Sequence, residues 1–210
     1  MRVLLAGATG LVGAQVLQRL LVDPRCTSVL APSRRALGVQ HARLRNPVLD
    51  FEQLPQHDDD WQVDAAICAL GSTMKQAGSR QAFHRIDHDY PLAIARRVRA
   101  QGCTVFALNS AAGANPRAWV FYSRVKGELE RDLQALDFAS LTLVRPGLIG
   151  GERSEYRAGE QLAGKVLGAL APVLPRAWRI NPASNIAAAL VEAALAPQPG
   201  VRVVGAAALA

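Results

Sequence analysis

The sequence has few cysteines, few aromatic residues and no long uninterrupted apolar segment. Its three cysteines, Cys26, Cys68 and Cys103, are far apart and odd in number, which argues against a disulfide framework and against zinc-binding cysteine spacing. The longest apolar stretch, residues 162–174, contains a lysine and a proline and is shorter than the roughly 18 residues of a membrane helix. The apolar N-terminal run is broken by glycines and no convincing cleavage site follows, so no secretory signal is predicted. We therefore expect a cytoplasmic protein without a membrane partner.

The charge of the chain is positive but dispersed. Lysine and arginine together number 24 against 17 acidic residues, which gives a formal net charge of +7. The basic residues are spread along the whole chain, and no basic aromatic motif accompanies them. We interpret them as an ordinary solvated surface and expect no nucleic-acid partner. With 210 residues, half of them hydrophobic, the chain is long enough for one domain with a full core.

Strand-like and helical patterns alternate along the chain. The alternation predicts an α/β fold, a doubly wound parallel-sheet Rossmann domain over residues 1–210 with a small C-terminal substrate lobe at about 148–182. Pro91 lies inside the second helical pattern and should start, kink or divide a helix there. The predicted strands cover residues 2–7, 28–31, 46–49, 65–70, 104–108, 141–144 and 201–204. The predicted helices cover residues 11–22, 79–100, 121–136, 159–170 and 183–196.

A glycine-rich motif joins the first predicted strand to the first predicted helix. In a dinucleotide-binding turn, Gly7 allows the tight turn, Gly10 lets the backbone approach a pyrophosphate, and Gly13 lets the helix pack on the sheet. The helix N-terminus then offers unpaired N–H groups to the phosphates. We expect the whole motif to bind the cofactor: Gly7, Ala8, Thr9, Gly10, Leu11, Val12 and Gly13.

The residues after the second predicted strand indicate which dinucleotide is preferred. NAD-binding sites usually carry a carboxylate there, whereas this chain has Ser33, Arg34 and Arg35. A guanidinium group suits the additional phosphate of NADP in shape and charge, so we expect NADP(H) to be preferred over NAD(H). A solvated arginine pair in a loop is the alternative interpretation.

Three further segments lie where predicted strands end at the cofactor edge. Asp50 follows the third strand, where it would border the adenine, and Leu70, Gly71 and Ser72 close the fourth strand beneath the cofactor. Pro146 lies in a turn after the sixth strand, and a simple strand-ending loop explains that turn equally well.

Ser110, Tyr122 and Lys126 form the predicted catalytic set. Tyr122 and Lys126 are four residues apart and share one face of the predicted helix, and Ser110 directly follows the fifth strand. A free tyrosine has a pKa of about 10, and a neighbouring ammonium favours the phenolate. The order of these motifs resembles the short-chain dehydrogenase/reductase superfamily. That resemblance implies that Ser110 holds the substrate oxygen, Tyr122 exchanges its proton, and Lys126 also contacts the nicotinamide ribose.

Five segments extend the resemblance to one branch of that superfamily. They resemble the atypical reductases of the Tat-interacting oxidoreductase-like family: CALGST from Cys68, KQAG from Lys75, IDHDY from Ile86, YSRVKGELE from Tyr122 and VRPG from Val144. The resemblance implies an NADP(H)-binding Rossmann domain with a minimal substrate lobe. Two positions depart from the wider pattern: Asp87 stands where an asparagine serves a proton relay, and Ala111 replaces the second of two serines.

We therefore expect an NADP(H)-dependent oxidoreductase that acts on a carbonyl/alcohol pair of an unknown small molecule. A non-catalytic NADPH-binding regulator and a sugar-nucleotide-type epimerase or dehydratase remain alternatives, and the sequence leaves monomer or homodimer open.

His84 and His88 are four residues apart, but we expect a polar helix face and no metal. The arginines of the substrate lobe would suit an anionic substrate or an ordinary surface: Arg153, Arg157, Arg176 and Arg179.

Overall fold

The computed structural model describes residues 1–54, 61–150 and 180–210. Its centre is a seven-stranded, wholly parallel sheet with the order β3-β2-β1-β4-β5-β6-β9. The strands of this sheet are β1 (Arg2–Ala6), β2 (Ser28–Leu30), β3 (Leu44–Arg45), β4 (Ala65–Cys68), β5 (Val105–Asn109), β6 (Ser140–Arg145) and β9 (Gly200–Gly205). A second, two-stranded parallel sheet pairs β7 (Ile149–Gly150) with β8 (Asn181–Pro182).

Helices cover both faces of the sheet. They are α1 (Leu11–Val22), α2 (Met74–Ala77), α3 (Arg80–His84), a π-helix (Arg85–Asp89), α4 (Tyr90–Ala100), α5 (Phe121–Gln134), α6 (Ala183–Leu195) and a final 3₁₀ turn (Ala206–Ala208). The doubly wound Rossmann fold predicted from the sequence is confirmed. No helix within the described ranges has the length and apolar character needed to cross a bilayer.

Each central strand buries both of its faces, which explains its continuous apolar sequence. In β1, Val3 and Leu5 pack with α1 and α6, whereas Leu4 and Ala6 pack with α4 and α5. The fully buried α6 residue Leu190 and the α5 residue Leu129 mark the two layers on opposite sides of the sheet.

Three local features differ from the prediction. The third strand lies at Leu44–Arg45 and not at 46–49, with only an isolated bridge between Ser33 and Val48 beyond it. The helix predicted over 79–100 is divided by the π-helix, and α2, which has a capping box at Thr73, was not predicted. Pro91 lies in the first turn of α4, directly after the π-helix, so the prediction that a helix starts or divides at this proline is confirmed.

The predicted substrate lobe lies largely outside the described residues. This holds for its helix at 159–170 and for its four arginines.

Candidate cofactor and catalytic site

The strand order reverses between β1 and β4, which makes the carboxyl ends of these two strands the expected ligand crevice. Gly7 follows β1 with a φ of +90°, and a Cβ there would lie 2.6 Å from the carbonyl carbon of Ala69. A side chain at this position would therefore collide with the chain that leaves β4. The two strand ends meet at the crevice because position 7 is glycine.

Gly13 and Gly10 are required for different reasons. A Cβ on Gly13 would lie 2.0 Å from the carbonyl oxygen of Gly7, so this glycine allows α1 to pack on the turn. A Cβ on Gly10 would meet only that same oxygen, at an ordinary 3.5 Å. The fold itself does not require a glycine at position 10, which fits a ligand that approaches the backbone closely there.

The N-terminus of α1 is suited to an anion. Gly10 is its N-cap, no side chain caps it, and its first turn contains no acidic residue. Among the other motif residues, Ala8 and Val12 are buried, Leu11 is partly buried and Thr9 is exposed. The uncapped N–H groups and the positive end of the helix dipole together favour a phosphate.

Buried polar contacts hold the loop that carries the two predicted NADP-binding arginines. The hydroxyl of Ser33 donates to the carbonyl of Arg35 at 2.6 Å. The amide of Asn46 donates to Ser33 Oγ at 2.7 Å and to the carbonyl of Ala31 at 2.6 Å. Arg34 and Arg35 are exposed on this ordered loop. The role of Asn46 was missed, because the sequence pattern placed it in a strand.

Asp50 is exposed, and its carboxylate accepts the backbone N–H of Glu52 at 2.9 Å. This contact makes it a turn-stabilising residue at the end of the segment after β3. The neighbouring Phe51 is buried, with its ring 5.8 Å from that of Tyr90.

A buried ion pair lies beneath the end of β4. Lys126 Nζ is 2.8 Å from Asp87 Oδ1, and the two side chains are 4% and 0% exposed. The other oxygen of Asp87 accepts the N–H and the hydroxyl of Ser72, at 2.8 and 3.0 Å. A Cβ on Gly71 would lie 3.3 Å from Asp87 Oδ1 and 3.5 Å from Lys126 Nζ. The pair therefore joins the crevice loop, the π-helix and α5.

The ion pair also determines the charge state of Lys126. Burial lowers the pKa of this ammonium, but the Asp87 carboxylate and the nearby Tyr122 raise it, and the net shift is upward. The sequence comparison had singled out Asp87 only as a departure from an asparagine. Its structural role is to keep a cation inside the protein.

Tyr122 lies one helical turn before Lys126 on α5 and keeps about a third of its surface exposed. Its ring packs against Phe83, with 5.6 Å between the ring centroids. This contact holds the ring while the side chain stays open to solvent. The predicted pairing of Tyr122 with Lys126 on one stretch of helix is thus present in the geometry.

Ser110 lies in a buried cluster with two charged side chains. Its hydroxyl donates to Glu130 Oε1 at 2.5 Å, and the side chain is 4% exposed. Arg145 completes this cluster, with Nε 3.0 Å from the same oxygen and Nη2 bound to Oε2. Hydrogen bonding to Glu130 raises the pKa of the Arg145 guanidinium. The Ser110 hydroxyl therefore points at a buried carboxylate in this structure, and its role toward a substrate oxygen stays a prediction.

The turn after β6 is fixed by backbone contacts. The carbonyl of the buried Pro146 accepts the N–H of Ala112 at 2.7 Å. The N–H of Gly147 donates to Asn181 Oδ1 at 2.7 Å, and the amide nitrogen of Asn181 donates to the carbonyl of Ala206 at 2.9 Å. Asn181, which is fully buried, was not identified from the sequence.

Comparisons with solved structures define the class of the fold. The chain is similar to MoeE5, solved in complex with UDP-glucose and NAD, with a TM-score of 0.74, 17% identity and coverage of 97% of this chain and 75% of that one. It is also similar to an oxidoreductase of the short-chain dehydrogenase/reductase family from Burkholderia thailandensis, with a TM-score of 0.69, 18% identity and coverage of 99% and 92%. The protein has the Rossmann fold of the short-chain dehydrogenase/reductase type.

Sequence relatives define the family. Protein HTATIP2 of Rattus norvegicus is 36% identical over 180 residues, which cover 84% of this chain and 72% of the relative. Protein FMP52 of Eremothecium gossypii is 34% identical over 165 residues, which cover 76% and 71%. The chain belongs to this HTATIP2 and FMP52 family, as the sequence motifs had indicated. No protein-family model matches the chain.

The relatives correct one prediction. FMP52 proteins from several fungi are named mitochondrial, which contradicts the cytoplasmic location expected from the sequence. That expectation was wrong because charge, hydropathy and cysteine content describe a folded domain and carry little information about its compartment.

Proposed function

We propose that this protein is an NADP(H)-dependent oxidoreductase that interconverts a carbonyl compound and its alcohol. The observation that carries the proposal is the buried Lys126–Asp87 pair beneath Gly71, one helical turn from the exposed Tyr122. A buried cation beside a solvent-accessible phenol, at the switch point of a Rossmann sheet, is the arrangement that acid/base chemistry on a bound substrate requires.

The residues present fit a dinucleotide. The uncapped N-terminus of α1 and the open space at Gly10 would hold the pyrophosphate. Arg34 and Arg35 would hold the additional phosphate of NADP, on a loop that Asn46 already orders. When bound, the nicotinamide supplies the hydride to the carbonyl carbon, or accepts it in the reverse direction.

The protein's own part in the reaction is proton transfer and charge stabilisation. Tyr122 donates its phenolic proton to the carbonyl oxygen during reduction and takes it back during oxidation. The Lys126 ammonium stabilises the phenolate left on Tyr122, and Asp87 keeps that ammonium protonated despite its burial. Ser110 and Arg145 both bind the Glu130 carboxylate and so support this region.

Replacing Tyr122 by phenylalanine tests the catalytic assignment. The variant should fold and bind NADPH like the parent, since only a hydroxyl is lost and the ring still packs on Phe83. Turnover across a panel of aldehydes and ketones should fall by about two to four orders of magnitude. Turnover is followed by the absorbance of NADPH, and the affinity for NADPH is measured by calorimetry. A Tyr122→Phe protein with parental turnover would contradict the assignment.

A non-catalytic NADPH-binding regulator is the second candidate. It is favoured by the engagement of Ser110 with Glu130 and by the neighbouring Ala111, because this pair offers no free hydroxyl to a substrate oxygen. If the protein is a regulator, the parent should bind NADPH but should turn over none of the panel substrates. The same titrations and assays therefore separate the two candidates.

Replacing Arg34 and Arg35 together by alanine tests the cofactor preference. The double variant should lose about 2 kcal/mol or more of the preference for NADPH over NADH, since charge-assisted hydrogen bonds to the phosphate are removed. Arg202→Ala, an exposed arginine on the edge strand β9, is the matched control and should keep the preference. Equal calorimetric affinities of the parent for the two cofactors would refute the NADP assignment.

A further inference from the structure

Two histidines and an aspartate converge at the junction of α3 and the π-helix. Nδ1 of His84 is 3.1 Å from Asp89 Oδ1, and Nδ1 of His88 is 2.8 Å from the same oxygen. The two imidazole rings are 4.5 Å apart, and the three candidate ligand atoms all lie within 4.8 Å of one another. From the sequence, these histidines were expected to form a polar helix face without a metal.

The π-helix creates this convergence. In an α-helix, residues 84 and 88 share a face, but residue 89 is turned away by about 100° from residue 88 and about 140° from residue 84. A π-turn, with its bonds between residues five apart, places Asp89 above His84 on the same face. The cluster is therefore a consequence of the unusual helix and cannot be derived from the spacing of the histidines alone.

The opposite nitrogens of both rings face carboxylates of α5. Nε2 of His88 is 3.0 Å from Asp132 Oδ2, and Nε2 of His84 is 3.9 Å from Glu128 Oε2. When His88 donates its single N–H from Nε2 to Asp132, its Nδ1 lone pair is directed at Asp89, and the same tautomer of His84 directs a second lone pair there. Two lone pairs and a carboxylate oxygen then face one point, an arrangement that a cation satisfies.

We propose that His84 Nδ1, His88 Nδ1 and Asp89 form a site for a divalent transition metal, of which Zn²⁺ is the best match. Two ligands about 2.1 Å from a tetrahedral Zn²⁺ lie roughly 3.4 Å apart, close to the separations from Asp89 Oδ1 to the two nitrogens. Asp132 behind His88 supplies the outer carboxylate that commonly orients a metal-binding imidazole.

The surroundings leave a coordination position open and do not oppose a cation. His84 and Asp89 border an open cavity of about 350 Å³ that has room for a water as fourth ligand. Two arginines also line it, but Arg85 is paired with Glu52 at 3.0 Å, and the Arg80 guanidinium lies over the Phe121 ring at 5.3 Å.

The site would clamp the π-helix to α5. Asp87 lies between the two histidine ligands, and its partner Lys126 lies just before Glu128 on α5. A metal bound by the π-helix, with its ligand His88 hydrogen-bonded to Asp132 of α5, would hold these two elements in register. The inference rests on the ligand geometry and does not depend on the proposed oxidoreductase function.

Titration of the metal-free, full-length chain without a polyhistidine tag tests the site. Zn²⁺ should bind with one equivalent per chain by calorimetry and raise the melting temperature by several degrees, and Co²⁺ should give the visible absorption bands of a tetrahedral complex. His84→Gln, at a partly exposed position, should weaken Zn²⁺ affinity at least tenfold while the circular dichroism stays parental. Asp132→Asn should weaken it by about 10-fold through the orientation of His88.

His41→Gln is the matched control, since this exposed histidine lies in the loop before β3. It should bind Zn²⁺ like the parent. The proposal is overturned if the parent binds no Zn²⁺, or if His84→Gln and Asp89→Asn both keep parental affinity. Loss of binding in His41→Gln alone would likewise overturn it, because the metal would then lie elsewhere.

Discussion

The crevice has two sides that are built in opposite ways. The side formed by the glycine turn between β1 and α1 consists of backbone, and its function depends on missing side chains. The side formed by the π-helix and α5 consists of buried charges, with Lys126 held by Asp87 and Ser110 held by Glu130. The first side is determined by neighbours in the sequence, whereas the second joins residues that are far apart in the chain. We therefore expect substitutions to affect the two sides differently.

Lys126→Met should have the largest effect on stability. It leaves the Asp87 carboxylate buried with only Ser72 as a hydrogen-bond partner, which should cost about 3–5 kcal/mol of unfolding free energy. Adding Asp87→Asn should restore most of that loss, because the buried charge is then removed as well. Chemical denaturation measures the unfolding free energies of the single and the double variant. Lys75→Met, at an exposed position on α2, is the control. A loss below about 1 kcal/mol in Lys126→Met would refute the importance of the buried pair.

The same pair predicts a dependence on pH. The pKa of Lys126 is raised in the folded state. Its contribution to the unfolding free energy is therefore fully present below the unfolded lysine pKa of about 10.4. The contribution is lost as the pH rises through the higher pKa of the folded state. The stability difference between the parent and Lys126→Met should therefore narrow only at strongly alkaline pH.

Gly13→Ala should have the next largest effect and Gly10→Ala a much smaller one. A Cβ on Gly13 would press on the Gly7 carbonyl, which the packed turn cannot move, and should cost about 3 kcal/mol. Gly10→Ala meets no such obstacle and should cost less than about 1 kcal/mol. It should nevertheless weaken NADPH binding about tenfold or more, because the methyl group occupies the space proposed for the phosphates. Equal stability losses in the two variants would show that the distinction between these glycines is wrong.

Ser110→Ala should have the smallest effect on function. Removing the hydroxyl leaves Glu130 with Arg145 as its remaining partner and should cost about 1–2 kcal/mol of stability. Turnover should change less than tenfold, in contrast to Tyr122→Phe. A loss of turnover as large as that of Tyr122→Phe, with little loss of stability, would support the catalytic role predicted for the serine from the sequence.

The glycine turn and α1 could be predicted in full because every signal for them is local. The strand, the three glycines and the apolar face of α1 follow one another within 22 residues, and the predicted helix has the observed bounds. The pairing of Asp87 with Lys126 could not be predicted, because it depends on how the π-helix packs on α5. The engagement of Ser110 was missed for the same reason, since Glu130 is recognisable as its partner only when α5 is docked against the sheet.

The π-helix has a consequence for the evolutionary history of the chain. A π-turn holds one residue more than the α-turn it replaces, so the segment Arg85–Asp89 has the form of an α-helix that gained a single codon. Deleting one residue there would relax the backbone but rotate everything on one side of the deletion by about 100° relative to the other. Asp87 would then lose its alignment with Lys126. The irregular turn and the ion pair therefore depend on each other, and a homologue with one residue fewer at this point should lack the pairing of Asp87 with Lys126.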